Sequence, residues 1–150
     1  MSFSLMPVRL FAEERGGTWR SVFTKQETDY FLEDGRSMDQ MEAWEINPAY
    51  RADLDFNLST RNMRLVMGEL GFDVTDDGAL IEIGQFQRAS ARWLTRHLGE
   101  RSAAVDAETH CDMRWLEVGL REGYLSDRIE KAAYIVREGR KRSATHVMVV

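Results

Sequence analysis

The polar residues between 57 and 62 have the spacing best suited to binding chemistry. Asn57, Arg61 and Asn62 flank Ser59 and Thr60, where an alternating segment gives way to a helical one. The N–H groups of a helix start carry partial positive charge, and with Arg61 and Arg64 nearby they can hold a phosphate or carboxylate. The plainer reading is a cap, in which the Ser59 or Thr60 hydroxyl satisfies those N–H groups. Upstream, Asp53 and Asp55 fall two apart on one strand face, and Asp76-Asp77 fall in a loop. Paired carboxylates can share a proton or bind a divalent cation, although on a solvated face they only meet water. His110-Cys111-Asp112 brings three ligand types together without the paired spacings of a zinc site. Adjacent strand residues point to opposite faces, so His110 and Cys111 do not become base and nucleophile by adjacency alone. Gly16-Gly17 lacks the length and the lysine of a phosphate-binding loop. From these residues no metal, cofactor or assembled catalytic group is expected.

Two surfaces could hold a macromolecule. Arg88, Arg92 and Arg96 form an i, i+4, i+8 row, and Lys131, Arg137, Arg140, Lys141 and Arg142 would extend it if their helices lie side by side. Such a row can track a phosphate backbone. The net charge of −5 and the interspersed Glu100, Glu130 and Glu138 weigh against that use. The second surface is Met38, Met41 and Trp44 with Glu42 and Glu45. Met and Trp favour interface centres, and an acidic rim steers a basic partner. Charge is uneven along the chain: residues 1–80 hold 15 acidic and 8 basic side chains, and residues 81–150 hold 10 and 12.

The elements that must position these residues are readable from period and punctuation. The 150 residues suit one domain with its own core. Residues 8–23 read as a β-hairpin with Gly16-Gly17 at its turn. Residues 25–50 are an irregular acidic excursion, too rich in aromatic and methionine residues to be disordered. An α/β core then occupies 52–150. Leu54, Phe56 and Leu58 alternate with polar residues as in a half-buried strand. Met63, Val66, Met67 and Leu70 then mark one helix face, closed by Gly71. Residues 83–98 form a second helix after a polar loop at 73–78. Ser126 opens a third, with Leu125, Ile129, Ala132, Ala133 and Val136 as its buried stripe. Residues 145–150 read as an interior strand. The expected fold is α+β, an antiparallel or mixed sheet packed against about three helices.

The segment from Asn57 to Ser59 and the run Gly123-Tyr124-Leu125 with Arg128 resemble motifs of a family of small bacterial and phage-borne proteins. That family carries a Leu-Asn-Leu-Ser-Asn-like strand-to-helix turn and a Gly-Tyr-Leu-x-x-Arg helix start. Here Phe56 and Thr60 replace the outer Leu and Asn, and the likeness covers roughly 52–150. It implies a fold and a bacterial or phage origin, and no reaction. One cysteine excludes an internal disulfide and suits a cytoplasmic protein, and no apolar run is long enough for a membrane span. No basic stretch with a long apolar core occupies residues 1–10, so no secretory signal is expected. Two functions follow as expectations. One is a non-enzymatic protein-interaction module, in its concrete form a phage inhibitor of bacterial defence such as an anti-CRISPR. The other is a small-ligand or nucleotide-binding protein or enzyme, using the 57–62 junction with Tyr124 and Arg128 folded beside it.

Overall fold

The structure, a computed structural model, describes residues 1–13, 16–28, 49–98 and 123–150. Its frame is a five-stranded antiparallel sheet, and three longer helices pack on one face of it, giving an α+β fold. The long first strand, β1 (Ser2–Glu13), organises the sheet. On one side it pairs with β5 (His146–Val149), and β5 pairs in turn with β4 (Ala79–Glu82). On its other side it pairs with β3 (Asn57–Ser59) and then with β2 (Gly16–Ser21). Pro7 lies in this central strand without breaking it. Leu5 donates to Phe56 and the Pro7 carbonyl accepts from Val22, so the proline nitrogen faces the gap between β3 and β2.

The side chains divide by parity. Phe3, Leu5 and Pro7 of β1, Val147 and Val149 of β5 and Ile81 of β4 are buried beneath the helices. Met6, Val8, Leu10, Trp19, Leu80, His146, Met148 and Val150 lie on the other face, which none of the described helices covers, and of these Val8 is buried.

The hairpin differs from expectation at its turn. Gly17 pairs with Ala12 and Gly16 with Glu13, so both glycines belong to β2. Leu10 crosses Gly17, where a Cβ would lie 2.5 Å from Leu10 Cδ1, the movable end of a half-exposed side chain. A short helix α1 (Lys25–Thr28) follows.

The alternation at 54–58 holds for burial and fails in part for conformation. Leu54, Phe56 and Leu58 are all buried. However, Ala52–Leu54 is a 3-10 turn, and the strand covers only 57–59. Asp53 is drawn into that turn by Arg51, so Asp53 and Asp55 are not paired carboxylates on one strand face.

Helix α2 (Thr60–Glu69) starts where its cap predicts, with Ser59 Oγ accepting from the Asn62 amide. Met63, Val66 and Met67 face the core. Gly71 closes the helix at φ 84°, with Phe72 N donating to Met67 O and Gly71 N to Gly68 O.

The sequence reading missed β4, four residues running straight into helix α3 (Ile83–Arg96). Glu82 makes the abrupt change possible, because its carboxylate accepts from the Gly84 and Gln85 amides at 2.9 and 2.8 Å. Helix α4 (Tyr124–Lys141) begins two residues before the expected Ser126 cap, behind Gly123 at φ 81°. Tyr124 is part of the core, which draws the first turn inward. Of the predicted stripe Ile129, Ala132 and Val136 are buried, while Leu125 and Ala133 are half-buried. α4 packs tightly on the sheet where Gly139 meets Pro7. Strand β5 is interior, as its apolar run predicts.

Candidate functional site

The β3–α2 junction splits the residues expected to share a pocket. Asn57 pairs in register with Ser4 and donates to Ser4 Oγ at 2.9 Å on the uncovered face of the sheet. Tyr124 is buried on the helix side, with the Arg128 guanidinium 5.2 Å from its ring centre. Asn57 and Tyr124 are therefore on opposite faces of the sheet. Arg61 is exposed on the first turn of α2, and the Asn62 amide is used by the Ser59 cap. Three buried side-chain oxygens at the helix starts lack a hydrogen-bond partner among the described residues: Thr60 Oγ1, Asn62 Oδ1 and Ser126 Oγ.

A polar network that sequence reading missed joins the 3-10 turn and α1 to the last turns of α4. Arg51 makes a two-pronged contact with Asp53 at 2.9 and 2.7 Å and donates to the Tyr134 hydroxyl at 2.8 Å. The Tyr134 hydroxyl donates to Asp53 at 2.7 Å. The hydrogen bond from Arg51 is the main force holding the Asp53 carboxyl down to about 2. The same carboxylate raises the Tyr134 hydroxyl. Nearby, Glu27 pairs with Arg142 at 2.7 Å, and its backbone carbonyl accepts from the Arg51 amide at 2.7 Å. Partial burial pushes the Glu27 carboxyl up, but the Thr24 amide and Arg142 together bring it below the usual range. Every charge in this network has an opposite partner, which fastens the 3-10 turn and α1 to α4, while Arg142 Nη1 is buried without a hydrogen-bond partner among the described residues. The only signal in the sequence was the excess of cations at the end of α4.

The arginine row lies on α3 with Arg88, Arg92 and Arg96 all exposed. Arg140 donates to Gln87, which ties the last turn of α4 to the first half of α3, so the two helices are neighbours. Arg88 is 3.9 Å from Glu82. Met38, Met41, Glu42, Trp44 and Glu45 lie outside the described residues, as do His110, Cys111 and Asp112. His97 stacks on Trp93 with ring centres 3.9 Å apart, and the Trp93 indole donates to Glu69. Among the described residues no three His, Cys, Asp or Glu side chains gather as a metal would need, and no helix is long and apolar enough to cross a membrane.

The feature that stands apart is the uncovered face of the sheet. Leu10, Leu80 and Val150 are 51%, 47% and 46% exposed on it. Met6, Met148 and Leu80 form one row across β1, β5 and β4. Trp19 meets His146 edge-on with ring centres 4.6 Å apart. At the β4 corner a groove of about 420 Å³ opens between Asp77, Leu80, Met148 and Val150.

No family model, curated protein or solved structure matches this chain.

The chemistry must therefore be read from the face itself. It offers apolar area in β geometry, an aromatic residue and, among the described residues, an unpaired strand edge, with acids at one corner. These are the properties of a docking surface. Sequence alternation could have revealed the face through Met6-x-Val8-x-Leu10 and His146-x-Met148-x-Val150. That signal was hidden because both faces of these strands carry apolar residues.

Proposed function

We propose that this protein is a non-enzymatic interaction module that binds a protein partner across the uncovered face of its sheet. The observation that carries the reading is a set of exposed large apolar side chains, Leu10, Leu80 and Val150, spread over separate cross-strand rows of a face that the three longer helices leave open. Burying such side chains against a partner yields about 25 cal/mol per Å² of apolar surface, minus the costs of association. A concrete version, resting on the sequence expectation alone, is an inhibitor that occupies a surface of a bacterial defence complex.

A second reading, a ligand at the 57–62 junction, draws support from the unpartnered oxygens of Thr60 and Asn62. Affinity capture from bacterial lysate with and without nuclease separates the readings. The comparison protein is a Leu10→Lys, Leu80→Lys, Val150→Lys variant with unchanged circular dichroism. A stoichiometric, nuclease-resistant protein held by the natural chain and lost by the variant supports the docking reading. Equal capture by both chains, or none by either, refutes it and directs attention to nucleotides and anions at Ser59–Asn62. Capture that disappears with nuclease points to the arginine row on α3.

A further inference from the structure

The backbone of β4 can be assigned bond by bond. Ser4 and Val150 exchange both their N–H···O bonds, at 2.7 and 3.0 Å. In an antiparallel ladder such exchange alternates, so Met148 bonds to Met6 of β1 while Val147 and Val149 bond outward to Ile81 and Ala79 of β4. The Ile83 amide continues that set by donating to Thr145 O at 3.0 Å. The N–H groups of Leu80 and Glu82 consequently face away from β5, at an edge of the sheet. A tight turn closes one end of that edge, where Thr75 and Gly78 bond to each other at 3.2 and 3.1 Å.

Charge and apolarity along this edge follow a pattern. Leu80 in the middle is 47% exposed beside Met148. Asp77 lines the groove at one end, and the side chain of its neighbour Asp76 is 95% exposed even while bonded to Arg64. Glu82 at the other end has a half-exposed side chain, with Arg88 at 3.9 Å as its cationic neighbour and His146 opposite it in register. A strand laid along β4 would set alternate side chains opposite Gly78, Leu80 and Glu82 on the uncovered face. The first would reach Asp77, the second would cover Leu80 and Met148, and the third would meet the half-exposed Glu82 carboxylate, which also caps α3 through the Gly84 and Gln85 amides.

We infer that the β4 edge takes an extended segment of a partner protein with the pattern basic–x–apolar–x–basic, pairing its backbone with Leu80. The inference rests on the interaction reading above and gives it a partner chemistry and a direction of approach.

The probe is a capped heptapeptide, Thr-Lys-Thr-Val-Thr-Lys-Thr, titrated into the ¹⁵N-labelled protein, with Thr-Glu-Thr-Val-Thr-Glu-Thr as its counterpart. The lysine peptide should shift the Leu80 and Glu82 amides, slow hydrogen exchange at Leu80 and bind at least tenfold more tightly than the glutamate peptide. Leu80→Pro removes the outward N–H together with the Leu80 side chain, and edge strands accept proline; it should weaken binding tenfold or more, and clearly more than Leu80→Ala, which keeps the N–H. Asp77→Lys leaves the backbone alone and should reduce the preference for lysine over glutamate, which decides the matter should Leu80→Pro not fold. Absence of saturable binding, shifts away from β4, or equal affinity in both variants overturns the inference. If the lysate partner is held by Leu80→Pro but lost by the triple-lysine variant, the face docks a protein and the edge does not.

Discussion

Pro7 of β1 and Gly139 of α4 are packed directly against each other where helix meets sheet. A Cβ built on Gly139 would lie 2.2 Å from Pro7 Cβ and 2.5 Å from its Cγ. Gly139 also accepts the backbone bond from Ala144 that turns the chain back toward β5. One glycine thus sets the height of α4 above the sheet and the turn that feeds the interior strand. A helical glycine normally costs about 1 kcal/mol relative to alanine. Here the sign reverses, because neither the proline ring nor the backbone can yield. Gly139→Ala should destabilise the fold by roughly 1–3 kcal/mol, the usual cost of overpacking. Urea unfolding measures it, and a neutral or stabilising result would mean that α4 lifts freely.

Gly68 provides the contrast. It lies in α2, exposed, with nothing within 4 Å of an added Cβ. Gly68→Ala should therefore gain roughly 0.5–1 kcal/mol, chiefly by restricting the unfolded chain. The same substitution thus carries opposite signs in two helices, and the pair of midpoints in one urea series tests the geometry of both.

Ser143 ends α4 at φ 64°, where Ser143 N donates to Arg140 O and Ala144 N to Gly139 O. Gly71 makes the same closure after α2 at φ 84°. A left-handed conformation costs a non-glycine residue about 1–2 kcal/mol. Ser143→Gly should raise the thermal midpoint, with a gain near 1 kcal/mol after the added freedom of the unfolded chain is subtracted. Gly71→Ala should lose a similar amount. Calorimetry of the two variants checks both.

Helices were legible where several local rules agreed. The run Met63, Val66, Met67, Leu70, Gly71 combined period, cap and stop signal, and α2 has those bounds within a residue. Strand β5 was legible because an apolar β-branched run that short must be interior. β4 was not legible: four residues supply no period, and the carboxylate cap of Glu82 replaces the loop that normally announces a helix. The Gly16-Gly17 turn was misplaced because glycine marks both positive φ and close cross-strand contact, and only the register shows that Leu10 crosses Gly17. The candidate pocket was unreadable for a deeper reason. Which face Asn57 and Tyr124 occupy depends on pairing with Ser4, a contact 53 residues away. The network of Arg51, Asp53 and Tyr134 likewise spans 83 residues between Arg51 and Tyr134, beyond any local pattern.

That network makes a prediction about acid. Arg51, through its hydrogen bonds first and its charge second, holds the Asp53 carboxyl at about 2, against about 3.9 in an unfolded chain. A depressed carboxyl contributes stability above its unfolded value and loses it as pH falls through its folded value. The Asp53 contribution should therefore be complete at pH 5 and above, decline below about pH 4 and be gone below about pH 2. Its size is limited by solvent, because the Arg51 and Asp53 side chains are 39% and 46% exposed. We expect less than about 1 kcal/mol, the range of exposed ion pairs. Asp53→Asn should lower stability by that amount at neutral pH and converge with the natural protein near pH 2. Parallel urea titrations from pH 7 to pH 2 measure the difference. A constant gap across that range would show that the substitution costs packing or geometry rather than charge, and a gap that widened in acid would contradict the pairing itself.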